Sequence, residues 1–261
     1  MTAVAVPVPE PGTGTVFVRA AAAEWLRLRT VRTTWWCLLA AAVTIVGIGA
    51  TAAFDMSQGS DGFLAGEPVT FAGEFGVLPG QFALLVLALL AVTQEYASGA
   101  IGPTLQWTPR RGVLLAARVT VPVVVATVAG VLLAVAANVA AWLIAPELTL
   151  SLADVADSLG RIAAVLLAGS LLAVGVGLLL RSTAGALATV FLLQLVLPFM
   201  LPAFGVEWMR HLGELLPGSG AIWTLLGEPD MTAAQATALL VGWSGVALTA
   251  GGWSLLRRDA G

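Results

Sequence analysis

No lysine occurs in the 261 residues, and all twelve basic positions are arginines. A P-loop needs a lysine on the nucleotide phosphates, and a retinal Schiff base or pyridoxal imine needs a lysine amine, so the chain alone supports none of these chemistries. Cysteine and histidine each occur once, as Cys37 and His211. That excludes an internal disulfide, a CxxC redox pair, an HExxH zinc helix and any multi-histidine metal site. No resident metal or cofactor is expected. Charge is scarce as well: 10% of residues are Asp, Glu, Lys or Arg, against about 25% in a soluble domain. Fifteen acidic and twelve basic side chains cannot coat a globule of this size, and the mean hydropathy is +0.95. Its apolar surface must face lipid.

What is abundant is apolar runs of membrane-spanning length. A bilayer core of about 30 Å takes roughly 20 helical residues. Six such runs occur, at about 35–54, 75–92, 119–144, 161–180, 182–201 and 233–256. The fourth and fifth abut at Arg181 and read as a tight helical hairpin. Gly47, Gly49, Pro79, Pro122, Gly175 and Pro198 fall inside spans, where neighbouring helices re-satisfy the backbone. The predicted fold is all-α, a polytopic integral membrane protein of six transmembrane helices forming one domain, 17–261, behind a disordered tail, 1–16, that holds Pro7, Pro9 and Pro11.

Between tail and first span, residues 17–34 repeat Phe17, Ala21, Trp25 and Leu28 at helical spacing, with Arg19, Glu24 and Arg27 on other faces. This predicts an interfacial helix with Trp25 at headgroup depth. Ala50-Thr51-Ala52 has the small residues of a signal-peptidase site. The run before it is too long and too far from the start for a secretory signal.

Six spans put both termini on one side. Ten arginines (Arg19, Arg27, Arg29, Arg32, Arg110, Arg111, Arg118, Arg181, Arg257, Arg258) then share that side, and only Arg161 and Arg210 lie opposite. The positive-inside rule makes the arginine-rich side cytoplasmic. The net charge of −3 hides this asymmetry, which reports orientation and not nucleic-acid binding.

The connection after the second span, Thr93 to Gly112, is longer than a turn. Glu95 and Tyr96 close the span, Ser98-Gly99 breaks the helix, Pro103 starts a short new one and Pro109 ends it. Thr104, Leu105 and Trp107 form a compact knob beside Arg110 and Arg111. Such a knob suits either docking of a cytoplasmic partner or anchoring at lipid headgroups.

Glu95-Tyr-Ala-Ser-Gly99, Thr104-Leu105 and Pro109-Arg110-Arg111 resemble the cytoplasmic segment of membrane subunits (permeases) of type-2 ATP-binding-cassette (ABC) exporters. The resemblance extends to Glu24 through Trp36, to Leu180-Arg-Ser-Thr-Ala-Gly185 and to Leu216-Pro-Gly-Ser, and so covers nearly the whole chain. Ala100 stands where the family pattern has threonine, and Arg118 where lysine is commoner. The resemblance implies a permease in the plasma membrane that pairs with a second membrane subunit as a homodimer or heterodimer. It also implies two cytoplasmic ABC ATPase subunits docked on Glu95, Tyr96, Gly99, Thr104, Leu105, Pro109, Arg110 and Arg111.

Three amides lie inside spans: Gln81, Asn138 and Gln194. They either line a translocation path, which the resemblance favours for Gln81 and Gln194, or make interhelical hydrogen bonds. Gly169, Ala173 and Gly177 form a small-residue ladder for close helix packing. His211 and Ser219 lack a GxSG motif and lie outside the spans, so an intramembrane serine protease is not expected. His211 reads as solvated or ion-paired on a short re-entrant or interfacial helix.

These features point to a non-enzymatic permease subunit that exports a hydrophobic or amphipathic cargo using ATP hydrolysed by a partner. The rival reading is a membrane anchor or interaction protein that transports nothing. The arginine asymmetry generates a direct test: a phosphatase active only outside the cytoplasm should be silent when fused after Gly261 and active when inserted near Asp61. The reverse pattern would remove the orientation or the span count.

Overall fold

The computed structural model describes residues 12–58, 67–98, 111–146, 151–227 and 231–257. Every regular element among them is a helix. These are α1 (Thr13–Thr30), α2 (Arg32–Ser57), α3 (Phe71–Ser98), α4 (Arg111–Ile144), α5 (Leu152–Leu180), α6 (Thr183–Ala203), α7 (Glu207–Glu214), α8 (Pro217–Leu226) and α9 (Ala233–Arg257). Six of them, α2 to α6 and α9, are long and apolar enough to cross a membrane. The fold is therefore that of an all-α, multi-pass membrane protein.

The predicted spans each fall on one of these helices, but the helices run further. α4 begins at Arg111, eight residues before the predicted 119, and α5 begins at Leu152, nine before 161. Hydropathy marks the slab of lipid a helix crosses, whereas the backbone ladder continues into water wherever the residues permit it. The N-terminal helix also differs from the predicted 17–34. Thr13 to Val16, assigned to the tail, are helical, and the break falls at Val31, whose φ and ψ of −82° and 122° are extended. Residues 32–34 thus begin α2. The break is well satisfied: the Val31 N–H donates to the Arg27 carbonyl, and Trp35 Nε1 reaches back 3.1 Å to the Arg29 carbonyl.

The hairpin at Arg181 forms as expected. Arg181 is left-handed, with φ of 53°, and its N–H closes α5 on the Gly177 carbonyl, while Ser182 Oγ accepts from Gly185 N–H to cap α6. The Arg181 side chain crosses to the Ser254 carbonyl near the end of α9, 3.0 Å away, which ties the hairpin to that helix. Inside α6, Leu192–Val196 widen into a π-helical turn. Pro198 has no N–H to return to the Gln194 carbonyl, and an added Cβ on Gly218 of α8 would lie 2.2 Å from that oxygen. Glycine is what lets α8 close over this turn.

α3 and α5 form the interior, two-thirds of each span being buried within the protein, whereas at most a third of α2, α4, α6 and α9 is buried. The outer faces of α2 and α4 carry Leu39, Val43, Val124, Val128, Leu132 and Val139, exposed as lipid-facing residues must be. Hydrophobic burial does not draw apolar helices together in lipid, so close backbone approach has to. The ladder Gly169, Ala173, Gly177 meets α3, with Gly169 against Leu85 and Gly177 against Val92 and Thr93. α5 meets α9 on another face, where a Cβ on Gly175 would come within 2.4 Å of the Ala247 carbonyl carbon. α2 meets α3 at Gly76, whose Cβ would strike the Ile45 carbonyl oxygen at 2.3 Å.

These approaches leave no room for a methyl group. Gly76→Ala and Gly175→Ala should each cost about 1–3 kcal/mol, the scale of overpacking a well-filled interface. Gly47→Ala, which meets nothing within 4 Å, should leave stability unchanged or slightly raised. Thermal unfolding in detergent measures all three, and equal unfolding temperatures would contradict the packing described.

Candidate functional site

Of the predicted cytoplasmic site, Glu95 and Tyr96 lie within α3 and Arg111 opens α4. Gly99, Thr104, Leu105, Pro109 and Arg110 lie outside the described residues. The site is therefore framed by the inner ends of α3 and α4, and a buried ionic cluster sits beside that frame. Glu24 of α1, 7% exposed, places Oε2 2.5 Å from Arg27 Nη2 and Oε1 3.4 Å from Arg118 Nε. Arg118 of α4 is 1% exposed. Arg27 also donates to the main-chain carbonyl of Ala91 on α3. The cluster ties three helices, α1 to α4 through the Glu24 carboxylate and α1 to α3 through Arg27.

The predicted stripe divides: Trp25 is 48% exposed and has Arg29 over its ring at 6.0 Å, in keeping with the headgroup depth expected of it, whereas Leu28 is buried together with Glu24. At a membrane boundary the apolar surround rewards an outward tryptophan, and a carboxylate turns inward only when cations wait there. Arg118 could have been flagged from sequence, because it is a charge within an apolar helix and such charges seek partners. Its partner lies 94 residues earlier, and no spacing rule connects them.

The three intramembrane amides behave differently. Asn138 of α4 accepts from the Gly73 N–H at 2.9 Å, satisfying a donor in the first turn of α3 that has no helical acceptor of its own. This is the interhelical bond that was one of its two readings. Gln81 is buried, and its Nε2 bonds the Leu78 carbonyl of its own helix at 2.9 Å, while Oε1 has no hydrogen-bond partner. Gln194 is buried in the π-helical turn, faces Gly169 of α5 and also carries an Oε1 without a partner. Neither glutamine bonds another helix among the described residues.

At the opposite end of the bundle Glu74 of α3 is buried and holds Arg161 of α5, with Nη2 2.6 Å from Oε1. Arg161 Nε lies 3.4 Å from Asp157. Composition gave Arg161 a place on the outer side but no partner. His211, on α7, is exposed with Nδ1 3.2 Å from Glu214 Oε2, a surface position within the solvated or ion-paired role expected of it. Ser219 of α8 donates instead to the Gly213 carbonyl at 2.7 Å, so the two do not form a nucleophile–base pair.

No family model and no curated protein matches the chain. The geometry of the amides separates packing from vacancy and yields a test. Asn138→Ala strands the buried Gly73 N–H and should cost about 1–3 kcal/mol. Gln81→Leu and Gln194→Leu remove carbonyl oxygens that bond nothing, so unfolding temperatures should stay level or rise. A loss for the glutamine variants equal to that of Asn138→Ala would assign them to packing.

Proposed function

We propose that the chain is the membrane-spanning permease subunit of an ATP-driven exporter of the ATP-binding-cassette kind. It lies in the plasma membrane with both termini in the cytoplasm and pairs with a second membrane subunit. Separate ATPase subunits dock on the segment between α3 and α4 and perform the nucleotide chemistry, for which a chain without lysine has no P-loop lysine. The observation that carries this reading is which helix holds the segment. α3 runs unbroken from Phe71 to Ser98, through the motif residues Glu95 and Tyr96, and packs against α2, α4, α5, α6 and α8. A displacement imposed at its inner end is felt by most of the bundle.

In this mechanism ATP-driven closure of the ATPase pair pushes the inner ends of α3 and α4 as a rigid body and reshapes a cavity between the two membrane subunits. The middle of the bundle offers amides in place of charges, Gln81 and Gln194 among them, and its walls are apolar. That chemistry suits a hydrophobic or amphipathic cargo.

Co-expressed with its ATPase, the chain should purify as a complex of two membrane and two ATPase subunits, and alone it should hydrolyse no nucleotide. Arg110→Glu with Arg111→Glu, and separately Leu105→Asp, should insert normally, because Arg27, Arg29, Arg32, Arg257 and Arg258 still fix the orientation. Both should weaken ATPase association by about tenfold or more, as opposed charge at a docking surface does. Full association in both variants would sink the docking role and leave the anchor reading standing.

A further inference from the structure

The ionic cluster at the inner end of the bundle is expensive. Glu24 and Arg118 give up water for each other, and well-packed apolar side chains would serve stability at least as well. Its placement gives the cost a use. Ala91 is seven residues before Ser98, the last residue of α3, and Arg118 is seven residues after Arg111, the first of α4. Two helical turns, about 10 Å, thus separate the cluster from the interhelical segment on either side. α1 grips both sides at that level: Glu24 takes Arg118 on α4, and Arg27 takes the Ala91 carbonyl on α3. Leu28 of α1 adds an apolar contact, packing with Leu87, Ala91 and Cys37.

The same helix is jointed at its other end. α1 passes into α2 through the single extended residue Val31; its packing is extensive on α4 alone, and it is held to α3 only by the Arg27 bond and the Leu28 contact. Its outward face carries Trp25 and Arg29, suited to the membrane boundary. α1 is thus fastened to the ends of the two helices that hold the docking segment, and hinged to the helix it precedes.

We propose that Glu24 is a positioning residue that makes α1 one rigid body with the inner ends of α3 and α4, so that a push on the segment between them moves α1 and is delivered through the Val31 joint to α2. This rests on the permease reading. Glu24 acts through Arg118 and Arg27, and touches neither nucleotide nor cargo.

The test uses the purified complex of the chain with its ATPase, compared at equal amounts of assembled complex. Glu24→Gln should assemble and bind ATP, yet its hydrolysis rate relative to the free ATPase should fall about three- to thirtyfold, the range for breaking a coupling contact. Spin labels at Ala23 and Thr120, both exposed, should report one narrow distance with and without ATP and vanadate in the native chain, and a broad one in Glu24→Gln. The swapped pair Glu24→Arg with Arg118→Glu should restore both readouts, because the carboxylate then sits on α4 between two α1 arginines. Should Glu24→Gln fail to insert, Glu24→Asp, which keeps the charge and retracts it by one methylene, should assemble with a reduced rate and a broadened distance. Native rates and a narrow distance in an assembled Glu24→Gln or Glu24→Asp complex would overturn the clamp while sparing the permease reading. Failure of the native chain to bind the ATPase would instead overturn that reading, and the clamp with it.

Discussion

Hydrocarbon offers no hydrogen bonds, so each backbone polar group inside the bilayer has to be satisfied by the protein itself. The architecture depends on that constraint. It turns every described crossing into a helix and makes each interruption costly. The interruptions that exist are repaired locally. Val31 returns its N–H to Arg27, Arg181 returns its own to Gly177, and Ser182 caps the helix that follows. Even the first turn of α3, where α-helices leave donors empty, borrows the side chain of Asn138 from a neighbouring helix.

Charge follows the same economy. Among the described residues, the buried ionic contacts sit near helix ends, Glu24 with Arg27 and Arg118 at one end of the bundle and Glu74 with Arg161 at the other. Between them the polar side chains are amides and hydroxyls, most of which bond their own helix, as Thr93 bonds Leu89 and Ser244 bonds Leu240. The two end clusters hold different helices. The Glu74 cluster joins α3 to α5, within the buried interior. The other joins α1 to α3 and α4, near the ends that frame the segment between them. Glycine contacts such as that of Gly175 of α5 against α9 supply close packing in the interior, and the ionic contacts add ties between particular helices.

The span count, the hairpin at Arg181 and the surface role of His211 were legible in the sequence. Each rests on a local property: twenty apolar residues in a row, a lone arginine between two such runs, a histidine outside them. The start of α4 was placed late, because hydropathy loses sight of a helix once it leaves the lipid. The stripe of α1 divides, with Trp25 outward and Leu28 buried beside Glu24, for a deeper reason. At a membrane boundary lipid and headgroups compete with the protein for tryptophan, and the face left to the protein is the one whose charge finds a partner.

The sequence by itself determined that this is a helical membrane protein with six candidate crossings, because the length and composition of a run decide whether it is stable in lipid without reference to any other part of the chain. It determined too that chemistry requiring a lysine is closed to the chain acting alone. Only the tertiary structure decided that Asn138 serves Gly73, that Gln81 and Gln194 keep unbonded oxygens in the interior, and that Glu24 faces Arg118. These pairings join residues tens of positions apart. Leucine, valine and alanine are equally at home in lipid and beside another helix, so hydropathy carries no record of which face meets which neighbour. That choice was made by the few glycines that allow backbones to touch and the few charges that must find one another.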